Sequence, residues 1–99
     1  MSTVYIPHRN PSHDYMGAIR FGNLHFITEG LVDSTNVGEI IDTTVSGLAD
    51  AGPDDYLMYA GLPVQVNAAV AFLAAKYKRV RMLVFHANQG YSVQVFDFR

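Results

Sequence analysis

The chain has 99 residues, no cysteine, 49% hydrophobic and only 16% charged residues, so we expect a single domain over residues 1–99 without disulfides, thiolate metal ligands or a cysteine nucleophile. Its net charge of −2 argues against a nucleic-acid partner or an anionic membrane surface. No apolar run reaches the roughly 18 residues of a membrane span, and the start of the chain lacks a signal-peptide pattern, so we expect a cytoplasmic protein.

The first third of the chain predicts two short strands around a short helical segment. Residues 3–6 are β-branched and aromatic and are stopped by Pro7, which predicts the first strand. Asp14 can cap a short helix that ends at Gly22. Residues 24–28 predict the second strand, which ends at Glu29 and Gly30.

A longer helix is predicted between Asn36 and the stop at Gly52 and Pro53. Asn36 followed three residues later by Glu39 is a variant of the capping box. Apolar residues then recur at spacings of four, four and three, which predicts that one face is buried. The residues that we expect on this buried face are Val37, Ile41, Val45 and Leu48.

Residues 55–85 predict a strand, a tight glycine turn, a second helix and a strand. The apolar run at residues 56–60 ends at Gly61, and Pro63 fits the first turn of the next helix. Gln65 is expected to tolerate replacement by alanine because it lies off the apolar stripe. The residues that we expect to pack this helix onto the sheet are Val66, Val70, Leu73 and Tyr77.

The order of these elements predicts the fold class. Strands that alternate with helices favour parallel pairing through right-handed crossovers. The connection at residues 86–90 is too short for a crossover, so the last strand should pair antiparallel with residues 80–85 as a hairpin. We therefore predict a small three-layer α/β domain with a mostly parallel sheet of about five strands and an antiparallel C-terminal strand.

Four stretches in combination resemble a group of small proteins encoded by tailed bacteriophages, namely "YIP", "SHDYMGAIRFGNLHFITEG", "PDDYLMYAGLP" and "RVRMLVF". In that group an "HDY…A…FG" segment leads to a "TEG" strand end, and a "PDDYL" strand leads to an alanine-rich helix. The resemblance spans most of the chain and implies a phage protein that acts inside a bacterial host. It implies no biochemical activity.

Ligands of open α/β sheets bind at the carboxyl ends of the strands, so we expect any ligand site at this edge. Gly61 before the second helix would let backbone N–H groups face an anion. The stretch "AGLPVQ" has neither a G-x-G-x-x-G pattern nor a P-loop, however, so a plain tight turn is the preferred interpretation. The predicted ligand-binding residues are Thr28, Glu29, Gly30, Gly61, Leu62, His86 and Asn88.

No catalytic or cofactor motif is complete. No serine lies in G-x-S-x-G, and neither spacing nor context singles out Glu29 with His13 as an acid–base pair. The histidines at positions 8, 13, 25 and 86 would bind zinc only if the fold brought all of them together. We therefore predict no metal, no cofactor and no catalytic residue, which favours a non-enzymatic protein.

A basic cluster closes the second helix, where cations oppose the helix dipole. A solvated helix end is preferred there over a phosphate contact. The members of this cluster are Lys76, Lys78, Arg79 and Arg81.

The last strand carries large apolar side chains on both faces. At a sheet edge it would expose them together with unpaired backbone, and another copy of the chain would cover both. The predicted interface residues are Tyr91, Val93, Val95, Phe96 and Phe98.

We expect a homo-oligomer that works as a phage accessory protein by binding itself or a bacterial host protein. The alternative is a small-ligand or nucleotide-binding protein that uses the turns at the strand ends.

Overall fold

The computed structural model describes residues 2–99. Its elements in chain order are β1 (Thr3–His8), a 3-10 helix (Met16–Phe21), β2 (Asn23–Thr28), α1 (Val37–Gly47), β3 (Tyr56–Met58), α2 (Pro63–Tyr77), β4 (Arg79–His86) and β5 (Gly90–Asp97). Within the described residues, no helix is both long enough and apolar enough to cross a membrane.

The five strands form one sheet in the order β2-β1-β3-β4-β5. Pairing is parallel from β2 through β4, and β5 pairs antiparallel with β4 as a hairpin. The predicted mostly parallel sheet with an antiparallel C-terminal strand is therefore confirmed. The chain leaves β1 towards β2 and then returns across β1 to β3, so the strand order reverses between β1 and β3. This reversal is a topological switch point.

Helices cover both faces of the sheet, which gives the three layers that the sequence predicts. On one face α1 and α2 pack on a core that includes Tyr5, Leu57 and Met82. On the other face the 3-10 helix packs through Ala18 onto a second core with Ile6. The second core needs only a short helical segment because the aromatic side chains of the neighbouring loop and of β5 complete it.

Two strand ends differ from the sequence prediction. β1 continues past Pro7 to His8, which still pairs with Thr28 of β2. Pairing between β1 and β3 reaches only Tyr5, so the proline lies past the end of that ladder. β3 ends at Met58 because the N–H of Ala60 turns back to the Met58 carbonyl at 2.9 Å.

The capping of α1 is confirmed, but its predicted buried face is wrong except at Leu48. The Asn36 side chain accepts a hydrogen bond from the Glu39 N–H at 3.2 Å. The helix buries Ile40, Thr44 and the following Leu48, whereas three members of the predicted face are 39–47% exposed. Those exposed residues are Val37, Ile41 and Val45.

A glycine explains why α1 turns a different face to the sheet than the one predicted. Gly47 faces Ile27 of β2 so closely that a Cβ at position 47 would lie 2.7 Å from the Ile27 Cγ2 atom. Gly47 and Thr44 therefore lie on the contact face together with Ile40, and the small size of the glycine and the threonine lets the helix axis approach the sheet. The more hydrophobic stripe faces outward as a consequence.

The packing of α2 is confirmed. Val66 and Leu73 are buried, Val70 packs against the same core, and the Tyr77 hydroxyl donates a hydrogen bond to the Ala51 carbonyl at 2.7 Å. Pro63 begins the helix as expected. The sequence prediction fails only for Gln65, which is 2% exposed.

Candidate functional site

A cavity of about 610 Å³ opens at the carboxyl ends of β1 and β3. It lies at the switch point of the sheet, where open α/β folds bind their ligands. We call it the switch-point cavity. Three predicted ligand residues line it, namely Gly30, Gly61 and Leu62.

A hydrogen-bond network behind the cavity fixes the orientation of His8. The Thr28 hydroxyl has one proton, which it donates to the Pro7 carbonyl at 2.7 Å. The same oxygen accepts a bond from the Gln65 Nε2 at 3.0 Å, so the contact of 2.8 Å with His8 Nδ1 requires that His8 donate. The neutral His8 ring therefore carries its proton on Nδ1. Its Nε2 is left as an acceptor, and His8 lines the cavity.

The Gln65 side chain joins the start of α2 to the end of β2. Its Oε1 accepts the Leu62 N–H at 2.9 Å, while its Nε2 bonds to Thr28. These bonds are in keeping with the plain tight turn that the sequence favours over an anion-binding turn. The Leu62 N–H is already occupied, and Pro63 has no N–H to offer.

We expect Gln65→Ala to lower the free energy of unfolding by about 1–3 kcal/mol, because it leaves the part-buried Leu62 N–H without its acceptor and removes the bond to Thr28. Asn67→Ala is the matched control, since Asn67 is an exposed residue of the same helix. Urea unfolding of the two variants measures the difference. Equal midpoints for both variants would show that the Gln65 hydrogen bonds contribute nothing to stability.

A second cavity of about 630 Å³ lies beside the first, between α1 and the end of β2. Thr28 and Glu29 line this second cavity, so the predicted ligand residues are divided between the two. Leu31 and Val32 line both cavities and separate them. The second cavity also carries carboxylates, from Glu29, Asp33 and Glu39.

His86 and Asn88 line neither cavity. β4 leads into a tight turn and not into a helix, so the residues after it fold back along β5. His86 Nε2 lies 3.1 Å from the Ser92 hydroxyl, and Asn88 adopts a left-handed turn conformation with φ of 69°. The antiparallel hairpin therefore directs these two residues away from the switch point.

Side chains that the sequence did not single out as ligand residues complete the switch-point cavity. They are His8, Arg9, His13, Tyr59 and Phe85, with Tyr15 from the loop below. The parallel pairing of β1 would have indicated His8 and Arg9 as residues of this site. Since β1 is parallel to its neighbours, the loop after its carboxyl end must lie at the same sheet edge as Gly61.

The candidate acid–base pair of Glu29 and His13 is not brought together. Glu29 forms an ion pair with Arg9 at 3.3 Å, whereas His13 Nε2 lies 2.6 Å from the Tyr91 hydroxyl. Burial raises the pKa of Tyr91, with smaller contributions from Tyr15 and then Asp14, which keeps this phenol protonated. In residues 2–99, histidine and carboxylate side chains form no group of three that could hold a metal ion.

The arginines of the basic cluster bind within the chain, at the opposite edge of the sheet. Arg79 pairs with the Asp54 carboxylate at 3.1 Å. Arg81 donates to the Asp54 carbonyl at 2.7 Å and stacks over the Tyr56 ring at 4.2 Å. Both arginines therefore hold the loop that enters β3.

β5 forms an edge of the sheet and exposes apolar side chains on both faces. Phe96 pairs with Val80 and so lies on the face that α2 covers, whereas Val93 pairs with Leu83 on the opposite face. The exposed fractions are 40–58% for Val93, Val95, Phe96 and Phe98. Tyr91 is only 7% exposed and packs in the core, which removes it from the predicted interface.

These features define a small α/β protein with a switch-point cavity and an uncovered edge strand. Over residues 2–96 the chain matches the family model described as Phage Pam3 gp32-like protein, and it belongs to that family. The resemblance to phage proteins is thereby confirmed. Among curated proteins and solved structures, nothing matches this chain.

Proposed function

We propose that this chain is a non-enzymatic phage accessory protein that assembles with a second copy of itself through β5 in the host cytoplasm. The observation that carries this proposal is the composition of the edge strand. The first seven residues of β5, from Gly90 to Phe96, include no charged side chain and no proline. Soluble proteins normally protect such an edge with charges, prolines or a covering element.

The backbone of β5 supports antiparallel pairing with another copy. The Phe98 N–H donates to the Lys78 carbonyl at 2.8 Å, which sets the alternation of the β4–β5 ladder. The even-numbered residues of β5 therefore bond to β4. The N–H and C=O groups of Val93 and Val95 face outward, where an identical strand related by a twofold axis would pair with them.

The side chains support a second copy over a partner of a different kind. A twofold pairing about Gln94 would place Val93 of one chain opposite Val95 of the other, so apolar side chains would meet on one face. On the other face, the pairing would bring the half-exposed Phe96 rings of both copies towards the same seam. The uncharged stretch from Gly90 to Phe96 offers no electrostatic selectivity for a foreign partner, but it is complementary to itself.

Val95→Lys tests the proposal because it adds a charge at the centre of the edge without entering the core. We expect the native protein to sediment at twice the chain mass of 11.0 kDa and the variant to sediment as a monomer with an unchanged melting temperature. Val45→Lys, on the exposed face of α1, is the matched control and should remain dimeric.

Amide hydrogen exchange locates the interface. In a dimer through β5, the Val93 and Val95 amides exchange slowly, and in Val95→Lys the amide of position 93 exchanges quickly. The Gln94 and Phe96 amides, which bond to β4, should stay protected in both proteins. A native protein that is monomeric contradicts self-assembly through β5. So does a Val95→Lys variant in which the Val93 amide exchanges as slowly as it does in the native protein. If the protein is monomeric and binds a host protein through β5, binding of that host protein replaces self-assembly as the function of this strand.

A further inference from the structure

We propose that the switch-point cavity binds a mononucleotide, that is, a ligand with a planar ring and an anionic phosphate. This inference concerns a site separate from the β5 edge and stands independently of self-assembly. It rests on three properties of the cavity: its apolar aromatic wall, the sign of its charges and the state of His8.

The wall of the cavity is suited to a planar ring. Phe85, His13 and Tyr15 form a continuous group in which His13 lies edge-on to both neighbours, with ring centroids 4.7 Å from Phe85 and 4.6 Å from Tyr15. Phe85 is 46% exposed, and Tyr59, from the end of β3, is 67% exposed. Aromatic side chains with open faces of this kind stack on nucleobases.

Four exposed apolar side chains line this cavity. Besides Tyr59 and Phe85, the large apolar residues Leu31 and Leu62 line it and lie open to solvent. A bound ring would shield these surfaces from water, which favours binding. A volume of about 610 Å³ lies within the range of small-molecule sites.

The charge of the lining favours an anion. Arg9 supplies a positive charge at the cavity, and no aspartate or glutamate lines it. Arg9 lies over the Phe26 ring at 5.0 Å and pairs with Glu29 at 3.3 Å, and exposed ion pairs of this kind contribute little. These contacts leave guanidinium N–H donors that can form strong charge-assisted hydrogen bonds with a phosphate.

His8 adds a specific acceptor. Its Nδ1–H is held by Thr28, so the neutral ring presents the Nε2 lone pair. This atom would accept a hydrogen bond from a sugar hydroxyl or a base amino group. A mononucleotide supplies all three complements together: a ring to stack, a phosphate for Arg9 and a donor for His8.

Isothermal titration with the four ribonucleoside 5′-monophosphates tests the proposal, with the matching nucleosides and inorganic phosphate as separate arms. We expect saturable binding of at least one monophosphate. Arg9→Gln should weaken it about tenfold, which corresponds to about 1.4 kcal/mol, and should leave nucleoside binding unchanged. Tyr59→Ala should weaken the nucleotide and the nucleoside alike.

Arg20→Gln is the control for the loss of a cation, because Arg20 lies on the 3-10 helix and does not line the cavity. The affinity of the Arg20→Gln variant for the monophosphate should match that of the native protein. Absence of saturable binding of every monophosphate overturns the proposal. So does binding that Arg9→Gln and Tyr59→Ala leave intact, or phosphate alone binding as tightly as the nucleotide.

Discussion

Replacement of Leu73 by alanine is expected to lower the free energy of unfolding by about 2–5 kcal/mol. Leu73 is 7% exposed and lies in the core between α2 and the sheet, together with Leu57 and Met82. Removing its side chain leaves a void that the strands beneath cannot fill. Since the total stability of a domain is typically about 5–15 kcal/mol, this loss is a large fraction of the whole.

Asn67→Ala provides the comparison, because it changes an exposed side chain of the same helix and raises helix propensity slightly. Chemical unfolding should give a strongly reduced midpoint for Leu73→Ala and a midpoint at or above the native one for Asn67→Ala. Midpoints that agree between the two variants would mean that α2 does not bury the face described above.

The two helices show how far hydrophobic periodicity can predict packing. α2 has one apolar stripe backed by alanines, so the stripe and the close-approach face coincide, and the prediction succeeded. α1 has two faces at helical spacing, and the more apolar one is exposed because Gly47 must meet Ile27. Hydrophobic periodicity indicates how apolar each face of a helix is. The contact between α1 and the sheet depends instead on the small size of residue 47.

The candidate site was predicted in its location but not in its composition. Parallel strands put every loop after a carboxyl end at one edge, which is why Gly30, Gly61 and Leu62 do line the switch-point cavity. The position of the cavity between β1 and β3 depends on strand order, and strand order arises from long-range pairing that local patterns do not encode. Arg9 and Tyr59 were therefore missed as members of one site.

Gln65 was misjudged for a related reason. As a polar residue beside an apolar stripe it resembles a solvated position, and nothing local reveals that Thr28, 37 residues away, supplies its partner. Buried polar groups that are fully hydrogen-bonded depend on the complete fold, so their burial becomes visible only when the partners are placed together.

Gly61→Ala is expected to destabilise the protein by about 2–6 kcal/mol, from the combined effects of backbone strain and overpacking. Gly61 has a φ of +130°, which side chains rarely allow. A Cβ there would lie 2.9 Å from the Gln65 Oε1 and 3.1 Å from the His8 Cβ. The substitution would therefore disturb both the Gln65 hydrogen bonds and the backbone next to His8.

Gly30→Ala separates strain from collision, because Gly30 also has a positive φ, +76°, but a Cβ there would meet nothing within 4 Å. It should cost only about 1–2 kcal/mol. In a Gln65→Ala background the Oε1 is gone, so Gly61→Ala should cost less than it does in the native protein, and a double-mutant cycle measures that coupling. Additive losses of unfolding free energy in the cycle, or equal losses for Gly30→Ala and Gly61→Ala, would show that a side chain at position 61 does not collide with Gln65.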